Sequence, residues 1–477
     1  MATAAGHSPR NADISATFQR QQERALELRS STADERIAKI KKLLAAIASH
    51  ESEIYSALHA DFRKHEAEVD LTELMPVISE AKHTIAHLKK WMKPRKVRPT
   101  RAMVGTHSEI RCEPKGVSLI VAPWNYPVNL SLGPLVAAIS AGDTAMLKPS
   151  ELAPASAAVI RKIIEATFEP EEVAVFEGGV DVSTELLALP FDHIFFTGSP
   201  AVGKIVMAAA AKHLTSVTLE LGGKSPTFID QSANIKQAAR FIVWGKFCNN
   251  GQTCITSDYI LVHESIKQAF IDETIAAIKS CYGQTDNELK QSPDYCRIIN
   301  DRNHTRLVNL LEDAKQRGAR VCSGGVVDAG ERFIAPTLLT DVPADAEIMH
   351  EEIFGPLLPI VSYDDIDDAI ALVNSKPKPL ALYIFGKEDA TIEKIMARTT
   401  AGDTCINHNL LHFLHLNLPF GGVNNSGIGK SHGHYGFVAF SHERSVLRDG
   451  FTVFHWMFPP YTNRVKKLIK MAGKFLT

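Results

Sequence analysis

The sequence lacks several features that define whole classes of protein. Its seven cysteines are odd in number and include no Cys-x-x-Cys pair, which argues against a disulfide framework and a structural zinc site. No uncharged apolar run approaches the roughly 20 residues that span a bilayer, and the N-terminus has no apolar signal segment. The net charge is only -2, so no overall field favours nucleic acid or an anionic membrane. We therefore expect free thiols, a cytoplasmic location, no membrane span and no nucleic-acid partner.

What the chain does have is the length and composition of a multidomain globular protein. It has 477 residues, of which 45% are hydrophobic and 22% charged, and this predicts two or three domains with substantial cores. Helical periodicity from Asp34 to about Lys90 predicts leading helices. The basic stretch 89–101, which Pro94 and Pro99 interrupt, predicts an exposed extended arm. Nucleic-acid binding by this arm is the alternative, but one basic stretch in a neutral chain gives it little support.

Short apolar strands then alternate with helical stretches in two successive runs. The first run predicts strands at 117–122, 144–148, 173–176, 193–197 and 216–220, with helices at 130–140, 155–168 and 200–211. The second run predicts strands at 225–229, 258–263, 357–361 and 382–385, with a helix at 235–247. Such alternation predicts a doubly wound parallel sheet followed by a second α/β domain. Sheets of this kind bind ligands beyond the carboxyl ends of their strands.

A glycine-containing turn, FTGSPAVGK at 196–204, follows one predicted strand and opens a helix. Gly198, Gly203 and Lys204 fit most of the phosphate-loop pattern, but Ile205 stands where that pattern needs Ser or Thr to hold Mg²⁺. ATP or GTP hydrolysis is therefore disfavoured. A helix N-terminus approached by flexible backbone can still hold a phosphate, and a tight turn without a ligand is the alternative.

Three polar residues follow other predicted strands or turns and could carry chemistry. GQTC places Cys254 where backbone N–H groups of a turn could stabilise a thiolate or an oxyanion, although an inert buried thiol is the commoner state of a single cysteine. Glu220 precedes a Gly-Gly pair and could act as a base or be a solvated loop carboxylate. Asn125 of PWNYP could donate an N–H to a developing oxyanion.

Two further segments allow alternative interpretations. In KPSE, Lys148 and Glu151 could clamp ribose hydroxyls, or Ser150 could cap a helix. The tail from Arg448 is aromatic and then amphipathic, with five Lys or Arg and no acid over 461–477. We expect this tail to pack on its own protein or on a partner subunit, and binding to a membrane surface is the alternative.

The order of these segments resembles the aldehyde dehydrogenase superfamily from about residue 20 to 450. The resemblance rests on PWNYP, KPSE, FTGSPAVG, LELGGKSP, GQTC, EEIFGP at 351–356 and LPFGG at 418–422. EGGV at 177–180 and PPY at 459–461 are more similar to the class 3 and coniferyl aldehyde dehydrogenase branch. The resemblance implies an α/β fold with a doubly wound Rossmann-type cofactor domain, a second α/β catalytic domain and a small β oligomerisation element. The implied parts are a cofactor domain at 1–94 and 114–221, a catalytic domain at 222–422, an oligomerisation element at 95–113 and 435–450, and a C-terminal tail at 451–477.

The same resemblance implies the chemistry and its residues. An aldehyde would be oxidised to the carboxylic acid with NAD(P)⁺, with Cys254 as nucleophile, Glu220 as the base that assists hydrolysis of the thioester, and Asn125 with the Cys254 N–H as the oxyanion hole. It places the cofactor at Trp124, Lys148, Pro149, Ser150, Glu151, Gly198, Ser199, Gly203, Leu221, Gly222, Glu352 and Phe354. The interpretation depends on the Cys254 sulfur being held ionised in a crevice between two lobes. Rival activities are a dehydrogenase that acylates coenzyme A, which Glu220 disfavours, and a thioester hydrolase without redox chemistry.

Substrate and cofactor preferences are expected as follows. A carboxylate at Glu151 would bind a ribose 2′-OH and repel a 2′-phosphate, so NAD⁺ should be preferred, with NADP⁺ possible. We expect a homodimer, and as substrate an aromatic aldehyde, such as coniferyl aldehyde, or a medium-chain aliphatic one.

The sequence departs from the family at His408, where an acid is expected. His408, His412 and His415 have helical spacing that could bind zinc, but the family chemistry needs no metal, and we expect a loop that changes the polarity of the substrate entrance.

Overall fold

The computed structural model describes residues 13–452 and 454–476. Its leading helices are α1 (Ile14–Leu28), α2 (Ala33–Ser49), α3 (Glu51–Phe62), α4 (Glu66–Val69) and, after a π-helical segment at Asp70–Leu74, α5 (Met75–Trp91). Helices α2 to α5 confirm the predicted helical region. The sequence did not predict α1, because its buried face includes the polar residues Thr17 and Gln21, which break the apolar pattern. Gln21 is buried with its amide donating to the carbonyls of Ala145 and Pro170.

The predicted basic arm, 89–101, is extended and exposed only in its later part, because α5 continues to Trp91. It forms β1 (Arg95–Val97) and leads to β2 (Thr106–Pro114), which pairs with it in antiparallel fashion.

The first run of strands and helices forms a doubly wound sheet, as predicted. Its elements are β3 (Val117–Val121), α6 (Asn129–Ala141), β4 (Thr144–Lys148), α7 (Pro154–Glu165), β5 (Val173–Val175), α8 (Val180–Leu187), β6 (His193–Gly198), α9 (Pro200–Ala211) and β7 (Ser216–Leu221). These strands are parallel and lie in the order β7-β6-β3-β4-β5. The strand order reverses between β3 and β6, and such a point opens a crevice at the carboxyl edge of a sheet.

The second run forms another mainly parallel sheet. Its elements are β8 (Pro226–Ile229), α10 (Ile235–Phe247), β9 (Tyr259–His263), α11 (Lys267–Tyr282), α12 (Asp286–Gln291), α13 (Asp301–Gln316), β10 (Arg320–Ser323), β11 (Val327–Asp328), β12 (Phe333–Ile334), β13 (Thr337–Thr340), β14 (Leu357–Tyr363), α14 (Ile366–Asn374), β15 (Ala381–Phe385), α15 (Asp389–Arg398) and β16 (Asp403–Ile406). The order is β10-β13-β14-β9-β8-β15-β16, with β10 antiparallel. Strands β11 and β12 form a separate short ribbon.

The chain then returns to the parts already built. Its last elements are β17 (Gly427–Ile428), α16 (Gly433–Ala439), β18 (Ser441–Asp449) and α17 (Asn463–Leu476). Strand β17 pairs with β7 of the first sheet, and β18 pairs with β2, so β1, β2 and β18 form one antiparallel sheet. The parts of the expected domains that fall on residues 1–12, 453 and 477 lie outside the described residues.

Both large sheets are buried on both faces. In β3, Leu119 packs into one apolar cluster and Ile120 into another, and in β9 the neighbours Ile260 and Leu261 divide in the same way. Such two-sided burial leaves the strand ends as the places where polar residues meet solvent. No helix in the described part of the chain is both long and apolar enough to cross a membrane.

Candidate active site

A cleft of about 730 Å³ lies at the carboxyl ends of β3, β6 and β7, with its opposite wall supplied by the second sheet's loops. The cleft brings together most of the predicted site residues. Those that line it are Trp124, Asn125, Gly198, Ser199, Glu220, Leu221, Gly222, Cys254, Glu352 and Phe354. Segments more than 200 residues apart in sequence thus meet around one cavity.

The KPSE segment is at the same sheet edge but outside the residues that line the cleft. The Lys148 ammonium donates to the Glu151 carboxylate at 2.7 Å and to the Pro149 carbonyl at 3.2 Å. The Ser150 hydroxyl accepts from the Leu152 N–H at 3.3 Å, whereas α7 begins only at Pro154. Ser150 therefore stabilises a turn ahead of the helix rather than capping it.

The glycine-containing turn supplies a helix N-terminus to the cleft. Gly198 ends β6, and Ser199 caps α9 by accepting from the Val202 N–H at 3.4 Å. A Cβ on Gly198 would lie 2.5 Å from the Phe196 ring, so a larger residue here would require that ring to move. Gly203 does not line the cleft. A Cβ there would lie 2.7 Å from Leu221, so Gly203 lets α9 pack closely on β7.

The loop that carries Cys254 has an unusual backbone. After α10, Asn249 and Asn250 are in the left-handed region, with φ of 51° and 56°. Their side chains fix that conformation: the Asn249 amide donates to the Asn125 carbonyl at 2.8 Å, and the Asn250 amide donates to the Cys296 carbonyl at 2.6 Å. Strained residues held by their surroundings are characteristic of functional sites. This strain turns the chain so that Cys254 faces the cleft.

Gln252 locks the same loop to its neighbours. Its buried amide donates to the carbonyls of Asn249 at 3.0 Å and Arg297 at 3.1 Å, and its oxygen accepts from the Ile299 N–H at 3.0 Å. Our sequence interpretation missed Asn249, Asn250 and Gln252. The Asn-Asn-Gly run was the available signal, since these residues tolerate left-handed backbone.

Cys254 is half-buried and is not sealed in the interior. Burial, with the nearby carboxyls of Glu352 and Glu220, raises the pKa of its thiol to about 12, although its own N–H and that of Ile255 lower it in part. Burial first, and then two acidic groups from distant parts of the chain, oppose ionisation of this thiol, so that an ionised Cys254 sulfur stays a prediction. A base must take the proton when the thiol reacts.

Asn125 is buried beside this loop, directly after β3. Its amide nitrogen donates one hydrogen bond to the Gln252 carbonyl at 3.0 Å. A side-chain amide carries two N–H groups. The second can serve an oxygen atom in the cleft.

Glu220 lies near the end of β7, paired with Thr197 of β6 and Gly427 of β17. One carboxyl oxygen accepts from the Ser431 hydroxyl at 3.0 Å, and the other is buried without a hydrogen-bond partner among the described residues. Burial raises the pKa of Glu220 to about 8, partly offset by the Ser431 hydrogen bond. A carboxyl whose pKa lies near neutrality is suited to general base catalysis.

The opposite wall is rigid around Glu352 and Phe354. Arg306 donates to the backbone carbonyls of Glu352 at 3.2 Å and Ile353 at 2.7 Å. The Phe354 ring packs edge-on against Trp124, with 5.3 Å between ring centroids. The Glu352 carboxyl lies against the backbone of Gly222, where a Cβ would come within 2.2 Å of a carboxyl oxygen. Burial raises the pKa of Glu352 to about 8.

A second cavity, which we call the apolar cavity, approaches Cys254 from the other side. It has a chamber of about 250 Å³ and an adjoining one of about 80 Å³. Both chambers are lined by Pro76, Asn129, Leu130, Cys254, Phe413 and Leu414. Glu220 lines the larger chamber as well as the cleft. Cys254 and Glu220 thus stand where the cleft and the apolar cavity meet.

The histidine segment forms a short 3₁₀ turn at Leu411–Leu414 instead of an α-helical face. His408 stacks near Phe241, His412 packs between Tyr383 and Phe420, and burial lowers the pKa of His412 to about 4. No group of three or more His, Cys, Asp or Glu side chains in residues 13–452 and 454–476 is placed to hold a metal ion. The loop instead contributes Phe413 to the apolar cavity. His432, just before α16, also lines this cavity, and the sequence interpretation missed it.

Comparisons with known proteins agree with this geometry. The model of the aldehyde dehydrogenase family matches residues 3–446. A dimeric NADP-preferring aldehyde dehydrogenase of Mus musculus is 44% identical over 412 residues, 86% of this chain and 89% of that protein. Aldehyde dehydrogenase family 3 member H1 of Arabidopsis thaliana is 42% identical over 437 residues, 91% of this chain and 90% of that protein. A solved structure of Staphylococcus aureus AldH in a substrate-bound state superposes with a TM-score of 0.91 at 41% identity, covering 97% of this chain and 100% of that one.

Proposed function

The chain belongs to the aldehyde dehydrogenase family and oxidises an aldehyde with NAD(P)⁺, and from this premise we propose how its residues divide that reaction. The observation that carries the proposal is that Cys254 and Glu220 both line the cleft and the apolar cavity. In this arrangement the cleft takes the cofactor and the apolar cavity takes the aldehyde. The thiol is then the one nucleophile placed between the two.

The cleft fits a dinucleotide. The N-terminus of α9 opens onto it at Ser199, and glycines stand where a Cβ would collide, at Gly198 and Gly222. The cofactor would be held by Trp124, Gly198, Ser199, Leu221, Gly222, Glu352 and Phe354, with Lys148 and Glu151 near its adenosine end. When bound, NAD(P)⁺ supplies the hydride acceptor.

The proposed roles follow from the surroundings of each group. Cys254 Sγ adds to the aldehyde carbon while the thiol proton passes to water, so that Glu220 remains a carboxylate for the later hydrolysis. The amide of Asn125 and the Cys254 N–H donate to the oxygen of the adduct. Loss of hydride leaves a thioester on Cys254. The Glu220 carboxylate then takes a proton from the attacking water, so that the acid and the free thiol are released.

The substrate class follows from the apolar cavity. Phe413, Leu414 and Phe420 favour an apolar aldehyde, either aromatic or of medium aliphatic length. Transfer of the acyl group to coenzyme A is the alternative, and a carboxyl positioned as Glu220 is argues against it, because hydrolysis needs such a base.

The proposal also covers the domain boundaries, the oligomeric state and the location of the protein. The boundary between the cofactor domain (1–94 and 114–221) and the catalytic domain (222–422) falls between β7 and β8, which lie in different sheets. The sheet β1-β2-β18, built from 95–114 and 441–449, is proposed to join two copies, since β1 and β18 are its edge strands and a relative is named dimeric. The seven cysteines are free, which supports a cytoplasmic location.

The test separates the nucleophile from the base. Cys254→Ala should lower aldehyde-dependent NADH formation by roughly 10⁴-fold or more, whereas Glu220→Gln should give an initial burst of NADH and then stall as the thioester. Cys322→Ala, on the edge strand β10, is the control and should keep full activity. Steady turnover by Cys254→Ala would overturn the proposal, and steady turnover by Glu220→Gln would remove Glu220 from the role of base.

A further inference from the structure

The end of the chain forms an appendage that the proposed function does not use. We define it as residues 451–476, with an aromatic segment followed by α17. Within the described residues, the main tertiary neighbour of α17 is the 3₁₀ turn Phe454–Met457 of the same appendage. We expected this tail to pack on its own protein or on a partner subunit, and within the single described chain α17 does not pack on the body.

Helix α17 has two distinct faces. Val465, Leu468 and Ala472 recur at spacings of three and four, with Ile469 beside them. Lys466, Lys467, Lys470 and Lys474 share the other side. The appendage has no acidic residue, so the charge on this polar face is uniformly positive.

The apolar side of the appendage is open. No side chain from 463 to 474 is buried, and Ile469 and Met471 are 42% and 52% exposed. Phe451, Trp456, Phe458 and Tyr461 are also exposed, by 58% to 76%. Exposed apolar surface rimmed by charge marks a place of interaction. An open apolar face beside a basic one fits a partner that offers both hydrocarbon and negative charge.

Backbone hydrogen bonds hold the start of the appendage to the body beside Gly105. The N–H groups of Gly450 and Phe451 donate to the Gly105 carbonyl at 3.1 Å and 2.9 Å. A Cβ on Gly105 would lie 1.6 Å from the Phe451 carbonyl oxygen, so this close approach requires glycine. The start of the appendage is thereby fixed beside the antiparallel sheet, while α17 itself stays uncovered.

We propose that the appendage lies on the surface of an anionic lipid bilayer, with the apolar face of α17 and the exposed aromatics at the boundary between headgroups and hydrocarbon. A helix of 14 residues is about 21 Å long, too short for a hydrocarbon core of about 30 Å. A strongly amphipathic helix with lysines on its polar face and aromatics nearby is the pattern of interfacial binding. This inference does not depend on the roles of Cys254 or Glu220.

The test is co-sedimentation of the full chain with vesicles. Binding to phosphatidylcholine vesicles that contain phosphatidylglycerol should exceed binding to pure phosphatidylcholine and should weaken as salt is added. Each lysine near an anionic surface contributes about 1 kcal/mol, so changing Lys466, Lys467 and Lys470 together to Gln should weaken partitioning by roughly 100-fold. The matched control changes the exposed body lysines Lys41, Lys212 and Lys236 to Gln and should bind like the unaltered chain.

Two further readouts keep the proposal open to refutation. Vesicles should shift tryptophan fluorescence to shorter wavelength, and Trp456→Phe should remove that shift. Aldehyde oxidation without vesicles should be equal in all variants, which shows that each has folded. Equal binding to neutral and anionic vesicles, or none, would overturn the proposal. A second outcome would also overturn it: the full chain is a dimer that does not bind vesicles, and a chain truncated after Asp449 is a monomer. A second copy of the chain, rather than a bilayer, would then cover α17.

Discussion

The cleft and the apolar cavity meet at Cys254 but are built in different ways. The cleft depends on backbone positions: a Cβ on Gly198 or Gly222 would meet the Phe196 ring or the Glu352 carboxyl, and Phe354 has a φ of 48°. The apolar cavity is shaped by side chains from α5, α6 and the 410–420 loop, among them Phe413. A cleft shaped by its backbone requires particular residues at particular positions, whereas the wall of an apolar cavity can be built from many different apolar side chains. The chemistry of this chain is therefore more readable from its sequence than the identity of its substrate.

Among the tests of this contrast between the cavities, the largest effect should come from adding a methyl group to the cleft. Gly222→Ala places a Cβ where only displacement of the Glu352 carboxyl can make room. Displacing this carboxyl should remove its hydrogen bond to the cofactor. Losing a hydrogen bond to a charged group should raise the KM for NAD⁺ by roughly 10- to 100-fold. Gly436→Ala is the matched control in the apolar cavity, where a Cβ would lie 3.3 Å from Ala137, and steady-state kinetics should show an unchanged KM for NAD⁺. Equal effects of the two substitutions would contradict the contrast between the cavities.

The second test enlarges the apolar cavity. Phe413→Ala should shift the ratio of kcat/KM values toward bulkier aldehydes by roughly tenfold, since a hydrophobic pocket discriminates by about 1–3 kcal/mol. The KM for NAD⁺ should not change. The exposed tail variant Phe458→Ala serves as the control and should leave the aldehyde ratio unaltered. An altered KM for NAD⁺ in Phe413→Ala would show that the two cavities are not separate.

The third test uses the group that both cavities share. The pKa of Glu220 is about 8, and only the carboxylate can accept a proton, so steady-state kcat should fall about tenfold per pH unit below that value. The Ser431 hydroxyl lowers this pKa, so Ser431→Ala should move the profile to higher pH. A pH series of kcat beside the amplitude of the first NADH burst measures both effects. A profile that Ser431→Ala leaves in place would assign the titration to another group.

The smallest effect should appear at the edge of the cleft. Glu151 is exposed and already paired with Lys148, so its repulsion of a 2′-phosphate acts in a largely aqueous setting, where two charges interact by about 1 kcal/mol. Glu151→Gln should raise the ratio of kcat/KM for NADP⁺ over NAD⁺ by about fivefold. Glu165→Gln, at the far end of α7, is the control. A ratio that does not change would place the adenosine ribose away from Glu151.

Much of the fold could be predicted because its elements are regular. The strands of the first sheet and helix α10 lie where the apolar pattern predicts them, since they are buried and bounded by turns. Helix α1 was missed because its inward face uses Gln21 to satisfy carbonyls of the sheet. The sequence pattern carries no sign of such a long-range hydrogen bond.

The site shows the same limit. Cys254, Glu220 and Asn125 follow strands or turns, a pattern that marked them as candidates, and the family resemblance supplied the roles predicted for them. The restraint of Asn249 depends on Asn125, and the raised pKa of the Cys254 thiol depends on Glu352, about 100 residues further along the chain. Effects that arise from contacts between distant segments can be described only once the fold brings those segments together.

Strand β17 has a mechanical consequence. It comes from beyond the second sheet, yet it forms a ladder with β7 at Glu220, and the Leu221 N–H donates to the Ser426 carbonyl at 3.0 Å. This ladder joins the two lobes beside Glu220, the proposed base, so moving the lobes apart would break the ladder and displace the Glu220 carboxyl. We therefore expect ligands to enter and products to leave through local shifts of the cavity walls, which leave these hydrogen bonds intact.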